Sequence, residues 1–380
     1  MTQTFHLLTG EYPPQTGGVG DYTRLVADGL VARGAAVHVW CPRAMDSAAG
    51  SLHVHQLPDV FGSASRRMLE SALRASPGCV VLEYVPNALG ARGANVPFCL
   101  WLLHMRRRGC DVRVMFHEPY FYFSWERPWR NGLAIVQRLM AAVLVRSSGV
   151  TYLSTLAWVA CLRPLGLSAM VESPIPATIA TDASPDSIAR WRSRFVQDHP
   201  DALIVGHFGT FGDHVGRELM RVVPFILNAV PAARVAFIGR GGEAFASALA
   251  LREPALGRRV SATGMLSGAD VSAALRACNL VVQPFPDGVT TRRTTVMAAL
   301  ANEVAVVTTD GTLTESAWRD GGAVRLAPAS DPAALAGATA ILLEDPAATA
   351  ALAARGLRLY QARFALEHTL DALLDVPAVA

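Results

Sequence analysis

The sequence predicts an α/β protein of two Rossmann-like domains, and three observations carry that expectation. Apolar runs of strand length recur along the 380 residues with helix-length segments between them, the mark of parallel sheets joined by helical crossovers. The pattern pauses in the proline-bearing stretch Val171–Thr178 (VESPIPAT) and then restarts. A chain of this length suits two domains of roughly 100–200 residues, each able to bury its own core.

The first half opens with the apolar run Thr4–Thr9, a Gly/Pro-rich loop, a helical pattern from about Asp21 to Arg33 and a second apolar run, Ala36–Trp40. Further buried strands are expected at Cys79–Leu82, Val112–Phe116 and Val150–Leu153, with helices near Ser65–Arg74, Cys99–Arg108 and Gly132–Val145. After the linker comes a polar helix near Pro185–Asp198, then strand-length runs at Leu203–Gly206, Arg234–Ile238, Leu280–Gln283 and Ala305–Thr308. From Asp331 onward, alanine and leucine at helical spacing predict two or three terminal helices.

Composition excludes several classes. Hydrophobic residues at 51% and charged residues at 17% argue against disorder, and no apolar run of about 18 residues predicts a membrane span. The start, MTQTFHLLTG, lacks a basic region and reads as a first strand, not a signal peptide, which places the protein in the cytoplasm. Six scattered cysteines form no CxxC pair and no histidine stands at metal-ligand spacing, so no metal site is expected. A net charge of 34 minus 31, or +3, is too small for a nucleic-acid footprint. The longest basic run, Arg106–Arg108, is a solvated helix end or a point of peripheral contact with the anionic inner face of a membrane.

Three loops at strand ends carry the chemistry. Gly17, Gly18 and Gly20 precede the first helix, where small residues let backbone N–H groups approach a diphosphate. Their spacing is not the G-x-G-x-x-G of dinucleotide binding, which disfavours an NAD enzyme. His117 stands where Val112–Phe116 ends, the edge at which open α/β sheets bind ligands. The segment Pro286–Thr295 (PDGVTTRRTT) leads into an apolar helix that Thr294 or Thr295 can cap, with Arg292 or Arg293 facing the same point, a combination suited to phosphate. Gly209, in GHFGTFG, adds a glycine at another strand end.

With these residues in hand, the chain resembles the family-4 glycosyltransferases, retaining enzymes of the GT-B fold. EYPPQTGGVGDYTRLVADGL with GAAVHVWCP is similar to that family's first unit, HEP at 117–119 to its strand-end histidine, and MAALANEVAVVTTDGTLTE to its donor-site helix, strand and loop. The resemblance implies two Rossmann-like domains facing a central cleft: an acceptor domain over 1–172, a donor domain over 173–358, and a C-terminal helix over 359–380 returning to the first. It also implies transfer of a sugar from a nucleoside diphosphate to an acceptor hydroxyl with retained configuration. No metal and no cofactor beyond the sugar nucleotide are implied, and the acceptor is a glycan, a lipid-linked molecule or a small molecule. Gly17, Gly18 and Gly20 would line the donor phosphate, His117 would lie beside the sugar, and 286–298 would hold sugar, phosphate and ribose.

The chain departs from the family pattern in two places. Asp287 stands near the first of two expected glutamates, but Thr295 or Ala298 occupies the second position, leaving Glu315 to replace it or to cap a helix. The usual Lys-Gly after the second domain's first strand is absent, with only Arg217 nearby, which shifts the phosphate toward Arg292 and Arg293. Asp21 is the candidate acceptor contact; a helix-capping role is its alternative. A sugar-nucleotide epimerase or phosphorylase of the same fold, and a non-catalytic nucleotide- or glycan-binding protein, remain as alternatives.

Overall fold

Runs such as Cys79–Tyr84 and Ala233–Ile238 are buried at every position, so each needs apolar cover on both faces, which parallel strands with helical crossovers provide. In the computed structural model, which describes residues 2–15, 17–167 and 169–375, the strands form two separate sheets.

The first unit comprises Met1–Ile175 and Leu366–Ala380. Its strands are β1 (Thr4–Thr9), β2 (Ala36–Cys41), β3 (Ser47–Ala49), β4 (Leu52–Gln56), β5 (Cys79–Tyr84), β6 (Val112–Phe116), β7 (Val150–Leu153) and β8 (Val171–Glu172). They are ordered β3-β4-β2-β1-β5-β6-β7-β8, parallel throughout except for β3 against β4. Helices α1 (Gly18–Ala32), α2 (Ser63–Ala75), α3 (Val96–Arg107), α4 (Asn131–Ser147) and α5 (Ala157–Leu162) belong to it.

The second unit is Pro176–Ala365. It holds α6 (Pro185–Val196), β9 (Leu203–Phe208), α7 (Asp213–Ala229), β10 (Ala233–Ile238), α8 (Gly242–Arg252), α9 (Pro254–Gly257), β11 (Val260–Ala262) and α10 (Gly268–Arg276). β12 (Leu280–Gln283), α11 (Thr294–Ala301), β13 (Val306–Asp310), α12 (Ser316–Asp320), β14 (Arg325–Pro328), α13 (Pro332–Glu344) and α14 (Pro346–Arg363) complete it. The named strands form a parallel sheet ordered β11-β10-β9-β12-β13-β14.

The chain passes between units at Ile175 and Pro176, where neighbouring side chains commit to different cores: Ile175 is buried with the first unit's residues and Ala177 with the second's. Position 359 lies inside α14, and the return to the first unit begins only at α15 (Leu366–Leu374), whose Leu370 and Leu373 join the first unit's core. Strands β3, β4, β8, β11 and β14 escaped the sequence reading because each is short and mixed in polarity. β8 opens the stretch read as linker. Helix α1 starts at Gly18, not Asp21, so Gly18 and Gly20 are helical residues. Arg106 and Arg107 close the last turn of α3 and Arg108 is its C-cap, where positive charge meets the helix's carbonyl end. Among the described residues no single helix is long and apolar enough to cross a membrane.

Across β1, β2 and β4 the register aligns His6, His38 and His53, and their rings stack at 4.9 and 5.1 Å. His55 bonds to His38 at 2.9 Å and stacks on Trp40 at 4.0 Å. Burial, then the neighbouring imidazoles, lowers the pKa of His38 to about 4; His6 and His55 are also lowered, with Asp46 opposing the shift at His55. A histidine held below its ordinary value binds protons more readily when unfolded, so its contribution to stability is full above about pH 6.5 and fades as pH falls toward 4. Denaturant unfolding of the first unit should therefore show stability declining over that window. His38→Leu should flatten the decline, as read from midpoints across a pH series.

Candidate functional site

In a parallel sheet the strand carboxyl ends lie on one edge, and each unit gathers its polar side chains there. In the first unit β5 ends with Glu83 and Tyr84, and β6 leads directly to His117. Glu83 is 2% exposed and His117 7%, and the Glu83 carboxylate meets His117 Nε2 at 2.8 Å. A carboxylate in that position fixes the orientation of the histidine ring. Tyr22 of α1 packs edge-on against the ring at 5.0 Å.

The glycine loop departs from its expected role. Glu11 Oε1 accepts the N–H groups of Val19 at 2.9 Å and Gly20 at 3.1 Å, the second of them in the loop expected to line a diphosphate. A Cβ on Gly17 would fall 2.3 Å from that carboxylate, and one on Gly20 would press on the Glu11 backbone at 3.3 Å. Those two glycines make room for the chain's own anion; Gly18, with nothing within 4 Å of its Cβ position, is the open one. Asp21 is not a cap: Gly17 holds that position and Asp21 lies exposed in the first turn of α1, its pKa raised by desolvation and then by Glu11.

In the second unit, Gly209, Arg292, Arg293, Thr294 and Thr295 come together around a cavity of about 200 Å³ at the ends of β9 and β12. Gly209 has φ +148°, and a Cβ there would stand 3.2 Å from Thr295 Cγ2, so a side chain would be strained and crowded against α11. The cap position of α11 is Arg293, without a side-chain cap bond, so neither Thr294 nor Thr295 caps it, and the Thr295 N–H has no acceptor among the described residues. Arg293 stacks on Phe285 at 4.2 Å and pairs with Asp287, which also faces Arg292 at 3.8 Å. Asp287 thus holds the two guanidinium groups in place.

Glu315 stands at the N-cap position of α12, but its side chain makes no cap bond there and does not line the cavity. It is 8% exposed and accepts the Thr291 N–H at 2.6 Å, the Thr291 hydroxyl at 2.9 Å and Trp318 Nε1–H at 3.2 Å, anchoring the loop that carries the arginines. Arg217 is exposed on α7, bonded to His214 and absent from the cavity lining.

Two cavity residues lay outside the sequence reading. His207 Nδ1 donates to the Val282 carbonyl at 2.9 Å, leaving Nε2 a buried acceptor without a partner; burial lowers its pKa to about 4 and keeps the ring neutral. Gln283 Nε2 donates to the Phe208 carbonyl at 2.9 Å, leaving Oε1 equally unpartnered. Their signal, with that of Glu83, was a lone polar residue near the carboxyl end of an apolar strand.

This geometry coincides with sequence and fold relationships. Residues 199–345 match the model of the glycosyl transferases group 1 family. The fold over both units is that of GT-B glycosyltransferases. Sucrose-phosphate synthase from Thermosynechococcus elongatus is similar with 16% identity over 98% of this chain and 97% of its own, at a TM-score of 0.75. HepE of Anabaena, solved with UDP and glucose, has 14% identity over 98% of each chain at 0.72. WaaG, a glycosyltransferase of lipopolysaccharide biosynthesis, has 15% identity over 98% of this chain and 100% of its own at 0.68. No curated protein sequence matches the chain.

The contacts of Glu315 in the second unit and of Glu11 in the first give two predictions of stability. Glu315→Ala strands a buried N–H of Thr291 and should lower the stability of the second unit by about 1–3 kcal/mol in denaturant unfolding. Gly17→Val should destabilise the first unit through collision with Glu11, whereas Gly18→Val should stay within about 0.5 kcal/mol of the parent.

Proposed function

We propose that the protein transfers a sugar from a nucleoside diphosphate to an acceptor hydroxyl, with retained configuration and without a metal ion. The observation that carries this reading is the second-unit cavity, where two ion-paired arginines, the uncapped start of α11 and two buried acceptors converge. Arg292, Arg293 and the α11 N–H groups suit a diphosphate, and they stabilise it most as the bond to the sugar breaks and negative charge grows on the leaving oxygen. The acceptor oxygen forms the new bond to the sugar carbon, the diphosphate departs with the electron pair, and the hydroxyl proton passes to the departing phosphate. His207 Nε2 and Gln283 Oε1 accept hydrogen bonds from hydroxyl groups of the donor. His117, oriented by Glu83, is assigned to the sugar. UDP and UDP-glucose, found with HepE, are the first donors to test. We place the reaction in the cytoplasm, with a glycan, lipid-linked or small-molecule acceptor.

Calorimetric titration tests the assignment. Charge-assisted bonds contribute about 1.5–3 kcal/mol each, so Arg292→Ala or Arg293→Ala should weaken UDP binding about 10- to 150-fold and leave uridine binding unchanged. If neither variant separates the two ligands, the phosphate lies elsewhere and Arg217 is the next residue to replace. Donor binding with no transfer, no epimerised donor and no phosphate-dependent release of sugar phosphate would identify a binding protein instead.

A further inference from the structure

Of the fifteen large apolar side chains exposed among the described residues, Tyr122, Phe123, Trp125, Trp129, Ile135 and Leu139 lie within one stretch of the first unit. Such concentration differs from the scattered single exposures normal on a protein surface. Ile135 and Leu139 are one helical turn apart on the outer side of α4, and the rest belong to the loop that precedes it.

The loop is held in a defined shape. Ser124 and Asn131 close it through paired bonds at 2.9 and 3.2 Å. Arg138 lies 4.1 Å from the centre of the Tyr120 ring and 4.0 Å from that of Phe123, and Arg130 covers Phe121 at 4.4 Å. Trp125, 97% exposed, and Trp129, 75% exposed, make no such ring contacts among the described residues. The same stretch carries Arg127, Arg130 and Arg138 against the single acid Glu126.

We propose that this loop and the outer side of α4 dock on an anionic lipid bilayer, with Trp125 and Trp129 entering the headgroup region and Arg127 meeting lipid phosphates. Tryptophan suits that depth because its ring is apolar while its N–H needs a wet partner, and net positive charge adds attraction to anionic lipid. A protein partner fits less well. The anchors of protein interfaces sit in packed surrounds that exclude water, whereas Trp125 has almost no neighbouring atoms about it. The surface lies apart in sequence from Arg106–Arg108.

The test is co-sedimentation of the full chain, without nucleotide, with phosphatidylcholine vesicles that contain or lack phosphatidylglycerol. The parent should pellet with the anionic vesicles, release as salt rises, and shift its tryptophan emission to the blue. Trp125→Ala/Trp129→Ala should lower partitioning by about tenfold or more while the melting curve stays in place. Leu251→Ala, which removes an 84% exposed side chain from the second unit, should bind like the parent. Failure of the parent to bind anionic vesicles, equal binding by the tryptophan variant, or an equal loss in Leu251→Ala overturns the proposal. So does emission that responds to maltotetraose and not to vesicles, which would make the aromatic loop a carbohydrate platform.

Discussion

The constraint on which this molecule rests is the direction of its strands. Parallel pairing sends the carboxyl ends of a sheet's strands to one edge, and there the chain leaves the ladder and can expose polar groups. β5 and β6 bring Glu83 and His117 together across adjacent strands, and β9 and β12 do the same for His207 and Gln283. None of these four residues is near its partner in sequence. Their meeting follows from register, in which Glu83 pairs with Met115, two residues before His117.

Within the second unit, electrostatic order passes outward from a buried carboxylate. Glu315 is buried and is tolerated there because three donors, two of them from Thr291, satisfy it. Fixing Thr291 fixes the chain just before Arg292 and Arg293, whose guanidinium groups are then spaced by Asp287. Arginine suits this place better than lysine because its planar group stacks on Phe285 while it pairs with Asp287. His207, by contrast, is held neutral by burial and adds an acceptor without adding charge beside the arginines.

The first unit solves a similar problem with its own atoms. The start of α1 offers unpaired N–H groups and a partial positive charge, and the Glu11 side chain occupies both. Glycine at position 17 is required by that contact, since any side chain would strike the carboxylate. The loop therefore looks in sequence like a phosphate cradle and acts in the folded unit as a carboxylate-capped helix start.

The sequence alone determined the two-domain α/β architecture and the long central strands, because Val112–Phe116 or Ala233–Ile238 are apolar at nearly every position and only burial on both faces satisfies them. It also singled out Arg292, Arg293 and Gly209, since glycine and paired cations at strand ends are local signals. Tertiary structure decided what depends on partners distant in the chain: that Glu315 anchors Thr291, that Asp287 holds arginines, and that Glu83 orients His117. It also decided the short edge strands, whose few ladder bonds leave no apolar run to read, and the exact point of return at α15, where Leu370 packs against Gly29. A charged or polar side chain announces only that it needs a partner; which partner it finds is settled by register and burial.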